Sequence, residues 1–207
     1  MPVHLPEQFN EVEVQRSRLM DLVDRLIPEH RDLIEQVLLL AQSAHTGQTR
    51  DDGHPYVIHP IRVAKMLLED MEERDVNVIA AALLHDVVED TSVTLEEIHQ
   101  QFGQRIAELV NSVTRPRAKE ETEADKLTTK PKNYQKIFAS APETICIKAA
   151  DILDNMRSWV AGEAVVRAQG KLSRWLNEAR SWYLPIGEKA GHGIKEKMQE
   201  IVQFFEK

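Results

Sequence analysis

The chain has 207 residues, 42% of them hydrophobic, with a formal net charge of −8 and one cysteine. That length can bury a substantial core. The acidic balance argues against general binding to a nucleic-acid backbone, and a lone Cys146 excludes an intramolecular disulfide framework or a zinc ribbon. A small anionic substrate stays open, because a local basic patch or a metal can outweigh the global field.

The opening MPVHLPEQFNEVEVQ is polar and acidic, unlike a secretory signal, and no apolar run is long enough to cross a bilayer. A cytoplasmic protein is expected. Residues near 6–26 and 30–44 read as two helices parted by Pro28. In AHTGQTRDDGHPYVIHP (44–60), turn chemistry takes over at Gly47, Asp51-Asp52-Gly53 and Pro55. Pro60 fits the first turn of a helix, where its missing N–H costs nothing, and IRVAKMLLEDM continues with helical spacing. A helix is expected near 76–89. TSVTLEEIHQQFG follows, with Ser/Thr caps before acidic residues and Gly103 as a stop, then a short helix over 104–114. RPRAKEETEADKLTTKPKN (115–133) is charged, has two prolines and almost no large apolar residue, and reads as a flexible loop. Helices resume at about 134–140, 143–161, 169–184 and 190–207. The pattern predicts an all-α protein with no internal repeat and no second domain.

The chemistry concentrates in AALLHDVVEDT (81–91). On one helix His85 lies over Glu89 and Asp86 over Asp90, while Leu83, Leu84, Val87 and Val88 take the opposite face. Carboxylates at a helix C-terminus meet the negative end of the dipole, a repulsion that a cation relieves. The bland alternative is the solvated acidic end of a surface helix. A metal at His85 and Asp86 needs ligands from other segments. His59, before Pro60 at a helix mouth, and Asp151, on the largely apolar helix ETICIKAADILDNMRSW, are the candidates. Each has an ordinary alternative: a helix-end hydrogen bond for His59, a salt bridge to Lys148 or an arginine for Asp151. Two imidazoles and two carboxylates suit manganese, iron or zinc and leave positions open. Glu89 and Asp90, one turn away, are placed to orient a water or accept its proton.

With those residues in view, the chain resembles the HD superfamily of metal-dependent phosphohydrolases, and within it the hydrolase domain of the RelA/SpoT-homologue family. The resemblance rests on three ordered blocks over roughly 40–160: AHTGQTRDDGHPYVIHPIRVA, AALLHDVVEDT with TLEEIHQQFG behind it, and IKAADILDNMRS. It is nearest the standalone small alarmone hydrolases, which remove the 3′-pyrophosphate of ppGpp or pppGpp, usually with manganese. The resemblance implies a single HD-type helical bundle over 1–207. A motif core at about 40–160 carries C-terminal helices at about 163–207, with the metal site between central helices. It implies one divalent ion, Mn2+ expected, on His59, His85, Asp86 and Asp151, and Glu89 and Asp90 beside the attacking water. Arg50 would lie against the base and Asn155 would hydrogen-bond the nucleoside, with Ser158 extending that contact. The bland reading of Arg50 is a surface arginine balancing Asp51 and Asp52. Candidate phosphate donors are Lys126, best placed by that alignment, with Lys130, Lys132, Lys148, and the pair Arg180 and Tyr183, three apart on NEARSWYLP. The expected partner is a small nucleotide, with neither nucleic acid nor membrane. Trp159, Trp175 and Trp182 read as packing residues.

Two departures stand out. The family commonly has Asp-Arg-Leu-His-Asn where this chain has Asp151-Ile152-Leu153-Asp154-Asn155, and a second basic residue where Asp51 stands. Both changes imply less positive charge around the nucleotide. An adenosine alarmone or the 2′-phosphate of NADPH is the alternative substrate, and a nucleotide-binding module without turnover is the alternative class.

Overall fold

The computed structural model describes residues 3, 5, 8–115, 123–168, 170 and 172–207, with side chains for all of these except 123–128, 165 and 168. Among the described residues the chain is helical, and its one pairing of extended backbone is an isolated antiparallel bridge between Thr49 and Pro55. One cluster of buried apolar side chains runs from Leu19 to Phe205.

At its centre is α3 (Ile58–Glu69), whose residues from Ile58 to Leu68 are all buried. A helix wrapped on every side has no solvent face, so the polar groups it carries, His59, Arg62 and Lys65, must find partners inside. It packs against α1 (Val12–Leu26), α4 (Val76–Leu83) and the long α9 (Pro142–Ala161). Pro142 opens α9, where it gives up no hydrogen bond, and Gly162 follows its end. Next to α4 lie α2 (Arg31–Ala44) and α7 (Gln104–Val113), and α7 pairs with α6 (Leu95–Phe102). The start of α6 carries the full reciprocal cap read in TSVTLEE. Thr94 accepts from the Glu97 N–H, Glu97 accepts from the Thr94 N–H, and Gly103 ends the helix at φ +90°.

Three expectations need correction. The helix predicted over 76–89 breaks after Leu83, and a four-residue α5 (Val87–Asp90) restarts it. Much of the expected 115–133 loop is helix: α8 spans Glu123–Phe138 with Pro131 inside it. Tyr134 and Ile137 in its last turns are buried in the common core, and that burial outweighs the amide Pro131 cannot donate. The helix expected at 169–184 is divided into α11 (Leu172–Glu178) and a π-helical turn at Ala179–Tyr183 that runs on into α12 (Leu184–Ala190), and an unexpected short α10 (Glu163–Ala168) precedes it. The last helix, α13 (Ile194–Phe205), starts after Gly191 and Gly193, both at positive φ.

Candidate active site and metal centre

The break after Leu83 builds the site. Leu84 N–H is shared between the Ala80 and Ala81 carbonyls, both at 3.2 Å, and His85 Nδ1–H donates to the Ala82 carbonyl at 2.8 Å. The ring thus satisfies one of the carbonyls a helix end leaves free. Neighbours in an unbroken helix point about 100° apart and do not face each other. In the turn, His85 Nε2 and Asp86 Oδ2 come within 3.1 Å.

On the facing helices, His59 of α3 and Asp151 of α9 complete the group. His59 Nε2 lies 3.1 Å from Asp151 Oδ1 and 3.7 Å from Asp86 Oδ2, and His85 Nε2 lies 3.8 Å from Asp151 Oδ1. One atom each from His59, His85 and Asp151 fits within 4.8 Å of the others, and all three residues are buried. His85 Nε2 is buried with no hydrogen-bond partner, since Asp86 is near in charge but not aligned with it. A buried ring nitrogen facing carboxylates is the donor a cation takes up, and a mixed nitrogen/oxygen set of this kind fits a divalent ion. The local field agrees. Burial alone would lower the His85 pKa, yet the Asp86 and Asp151 carboxylates raise it to about 9. Burial alone would raise the Asp151 carboxyl, yet Lys148, at 2.5 Å, holds it below the usual carboxylate range.

Tyr56, which the sequence reading did not single out, ties the cluster to the acidic pair. Its hydroxyl donates to Asp86 Oδ2 at 2.6 Å and lies 3.2 Å from Asp90 Oδ2. Burial and those carboxylates push its own ionisation upward, so it stays a donor. Glu89 accepts from the Arg115 N–H at 3.1 Å and lies 3.7 Å from that guanidinium. Both members of the Glu89/Asp90 pair face a cavity of about 300 Å³ that also holds Asp86, Asp151, Lys148 and Tyr183. Arg115 and Lys130 also line it and supply positive charge.

A second pocket of about 270 Å³ adjoins the first, with Tyr56, Asn155, Trp159 and Trp175 shared between them. The tight turn at 50–54, closed by Arg50 N–H to His54 O (2.8 Å) and by Gly53 at φ +85°, turns Arg50 into it. Arg50 Nη2 donates to Asn155 Oδ1 at 2.8 Å and contacts Ser158 Oγ at 3.3 Å, while Asn155 Nδ2 donates to Asp151 Oδ1 at 2.6 Å. Arg50, Asn155 and Ser158 therefore meet in this pocket. Trp159 and Trp175, read as packing residues, stack at 5.1 Å and wall both cavities.

Other candidates fall differently. Arg180 does not reach the site; it is on the outside, paired with Glu206, whereas Tyr183 is buried and donates to Glu178 at 2.8 Å. The i→i+5 bonding of the π-helical turn widens each turn, so residues three apart no longer line up. Lys132 is exposed, and the Lys126 side chain lies outside the described residues. Of the two departures, the replacements at 152 and 154 do not line this second pocket, whereas Asp51 does. Ile152 is in the core, and Asp154 is fully buried against Arg62 and His59. Arg62 and Asp154 were both missed, although each sits one turn past a candidate ligand, at 59+3 and 151+3, on a buried face.

A family profile described as an HD domain matches residues 38–191. The chain belongs to the HD domain family. Within that family it is similar, at 34% identity over 193 residues, to a Vibrio cholerae protein named guanosine-3′,5′-bis(diphosphate) 3′-pyrophosphohydrolase, the match covering 88% of this chain and 25% of that one. It is 34% identical, with 88% and 26% covered, to the Escherichia coli bifunctional (p)ppGpp synthase/hydrolase SpoT. This HD chain thus spans about a quarter of the length of these curated relatives. Among solved structures it is similar to a metazoan ortholog of SpoT described as hydrolysing ppGpp, with a TM-score of 0.67 and 27% identity over 83% of this chain and 94% of that one.

Proposed function

We propose that this HD domain hydrolyses the 3′-pyrophosphate of guanosine tetra- or pentaphosphate, giving GDP or GTP and pyrophosphate, with one divalent ion, manganese by preference. The observation that carries the reading is the convergence of His59, His85, Asp86 and Asp151 at the floor of a cavity lined by Asp86, Glu89, Asp90 and Asp151, which adjoins a nucleoside-sized pocket. The names of the relatives and the likeness to a ppGpp-hydrolysing structure support the substrate. We take the described residues, which share one continuous core, as one working unit acting on a small nucleotide in the cytoplasm; no described helix is long and apolar enough to cross a membrane.

His59, His85, Asp86 and Asp151 hold the ion, which when bound polarises a phosphoryl oxygen and lowers the pKa of water. Glu89 and Asp90 orient the attacking water and take its proton, Asp90 steadied by the Tyr56 hydroxyl and Glu89 by Arg115. Water attacks the phosphorus of the 3′-pyrophosphate that is bonded to the ribose oxygen, and the P–O bond to that oxygen breaks; the oxygen takes up a proton from solvent and leaves as the 3′-hydroxyl, balancing the proton given to the Glu89/Asp90 pair. Lys148, Lys130 and Arg115 line the cavity where pyrophosphate charge develops. Burial alone would lower the Lys148 amine, but the Asp151 carboxylate raises it, so it carries its charge throughout the neutral range. Arg50, Asn155 and Ser158 hold the nucleoside against the Trp159 and Trp175 wall.

The test is a product assay with ppGpp, pppGpp, their adenosine counterparts and NADPH across several divalent ions. GDP and pyrophosphate from ppGpp with manganese is the expected result. No product from either guanosine substrate, in protein shown to contain the ion, would end this reading. A clear preference for an adenosine alarmone or for NADPH would move the substrate and leave the metal chemistry.

A further inference from the structure

Asp154 is a carboxylate with no exposed surface, and the chemistry above gives it no task. Its Oδ2 accepts from His59 Nδ1 at 2.7 Å. Both its oxygens are held by the Arg62 guanidinium, Nε to Oδ1 at 2.8 Å and Nη2 to Oδ2 at 2.9 Å. Arg62 is fixed in turn by the Phe9 carbonyl (3.1 Å), Asn10 Oδ1 (3.2 Å), Ser158 Oγ (3.1 Å) and the Phe9 ring, 3.7 Å beneath it.

We propose that Arg62 and Asp154 are a positioning pair that makes His59 a ligand, by fixing its proton on Nδ1 and aiming the bare Nε2 at Asp151 and Asp86. The inference rests on the reading of His59, His85, Asp86 and Asp151 as a metal site. An imidazole binds an ion through the nitrogen without the proton, and the partner of the other nitrogen decides which one that is. A carboxylate only accepts, so Nδ1 must donate; an amide in its place could accept or donate and would not choose. The bidentate fork then stops the carboxylate from turning away. His85 gets the same instruction from the Ala82 carbonyl, a backbone group that cannot rotate. His59 lies in the first turn of α3 and has only a side chain to direct it.

The arrangement is a two-rung brace. His59 and Arg62 are one turn apart on α3, and Asp151 and Asp154 are one turn apart on α9. The upper rung joins His59 to Asp151 and the lower joins Arg62 to Asp154. Any axial slip between the two helices misaligns both rungs, so the pair also keeps ligands from separate helices in register.

The test uses the whole chain, freed of metal, as wild type, Asp154→Asn, and the double replacement Arg62→Leu with Asp154→Leu. The double variant removes both charges together, so neither is left buried alone. Nitrogen-15 spectra of the histidine rings read the tautomers, calorimetric titration with Mn2+ reads affinity, and thermal unfolding without metal reads the fold. In spectra taken well above pH 9, where His85 has shed its second proton, we expect His59 to carry its proton on Nδ1 in wild type and to lose that preference in Asp154→Asn, with His85 unchanged as the internal control. Mn2+ affinity should fall by about 10–100-fold in both variants, while the metal-free double variant unfolds close to wild type. Unchanged Mn2+ affinity in a folded variant would overturn the proposal and reduce the pair to a structural brace. Should the double variant not fold, Asp154→Asn decides alone, because it preserves volume. Should wild type bind no Mn2+, the metal reading fails separately, and an unchanged His59 tautomer in Asp154→Asn would still overturn the positioning role.

Discussion

Replacing Arg62 by leucine should be among the costliest single changes to the stability of the metal-free fold. Asp154 has no exposed surface, and once the guanidinium is gone its one remaining partner among the contacts described above is the His59 Nδ1–H. Breaking a buried ion pair from one side leaves a charge without compensation and costs about 3–5 kcal/mol. For a chain of this size that lowers the unfolding midpoint by roughly 6–20 °C. Asp154→Leu should cost less. The stranded Arg62 keeps the Phe9 carbonyl, Asn10, Ser158 and the Phe9 ring, and it borders a cavity of about 530 Å³ through which water can reach it. The double replacement should lie near wild type, since apolar side chains in place of a buried pair are often neutral or better. Urea unfolding of the four proteins without metal measures all three differences and the coupling between the sites. The electrostatic reasoning is refuted if Arg62→Leu costs less than about 1 kcal/mol. It is also refuted if the double variant is as unstable as Arg62→Leu, for then lost packing accounts for the damage.

The other expectations concern the site and its surroundings. Glu89→Gln and Asp90→Asn should each lower kcat on ppGpp by about 10²–10⁴-fold while bound manganese, measured by elemental analysis, stays at the wild-type level; loss of the ion would show that the two carboxylates are ligands. Arg180→Ala should leave kcat and KM unchanged, because that side chain pairs with Glu206 on the outside, and a large rise in KM would return it to the substrate. The Cys146 thiol is pushed up first by burial and then by Glu73 and Glu143, so less of it is thiolate at any given pH than in the unfolded chain. Its alkylation in the native protein should therefore be slow at neutral pH and still accelerating above the ordinary thiol range of about 8–9; a native rate that levels off below that range would contradict the assignment.

The sequence was most informative where the chemistry depends on short-range pattern. The Thr94–Glu97 cap, the Gly53 turn and Pro60 in the first turn of its helix are local devices, and each stands where its residues indicate. The four proposed ligands were also legible, because an imidazole or a carboxylate on an apolar helix needs a reason to be there. What could not be read is set by tertiary contact. The helix break after Leu83 comes from the His85 ring competing for the Ala82 carbonyl, which no periodicity reveals. The helix through Pro131 exists because Tyr134 and Ile137 have a core to enter. Arg180 and Tyr183 parted company because a π-helical turn changed their phase. Asp154 misled most. Read along the chain, it is a lost ring and a negative charge near a nucleotide. In the fold it faces inward, and Arg62 from another helix neutralises it.

That inward-facing pair bears on how an acidic chain handles a polyanion. Around the reaction cavity the carboxylates of Asp86, Glu89, Asp90, Asp151 and Glu178 face three basic side chains, Arg115, Lys130 and Lys148, a deficit of two positive charges. On the proposed reading, one divalent ion would make up that deficit, and the site would accept a phosphate group only together with its ion. Lys148 cannot substitute for it, since its ammonium is already committed to Asp151 at 2.5 Å. Were the Asp154 charge also to face this space unpaired, one ion would no longer suffice. Under the proposed function and positioning role, sequestering that carboxylate against Arg62 lets it direct His59 without adding to the repulsion a pyrophosphate would meet. On that reading one buried contact both aims a proposed ligand and keeps a further negative charge out of the cavity.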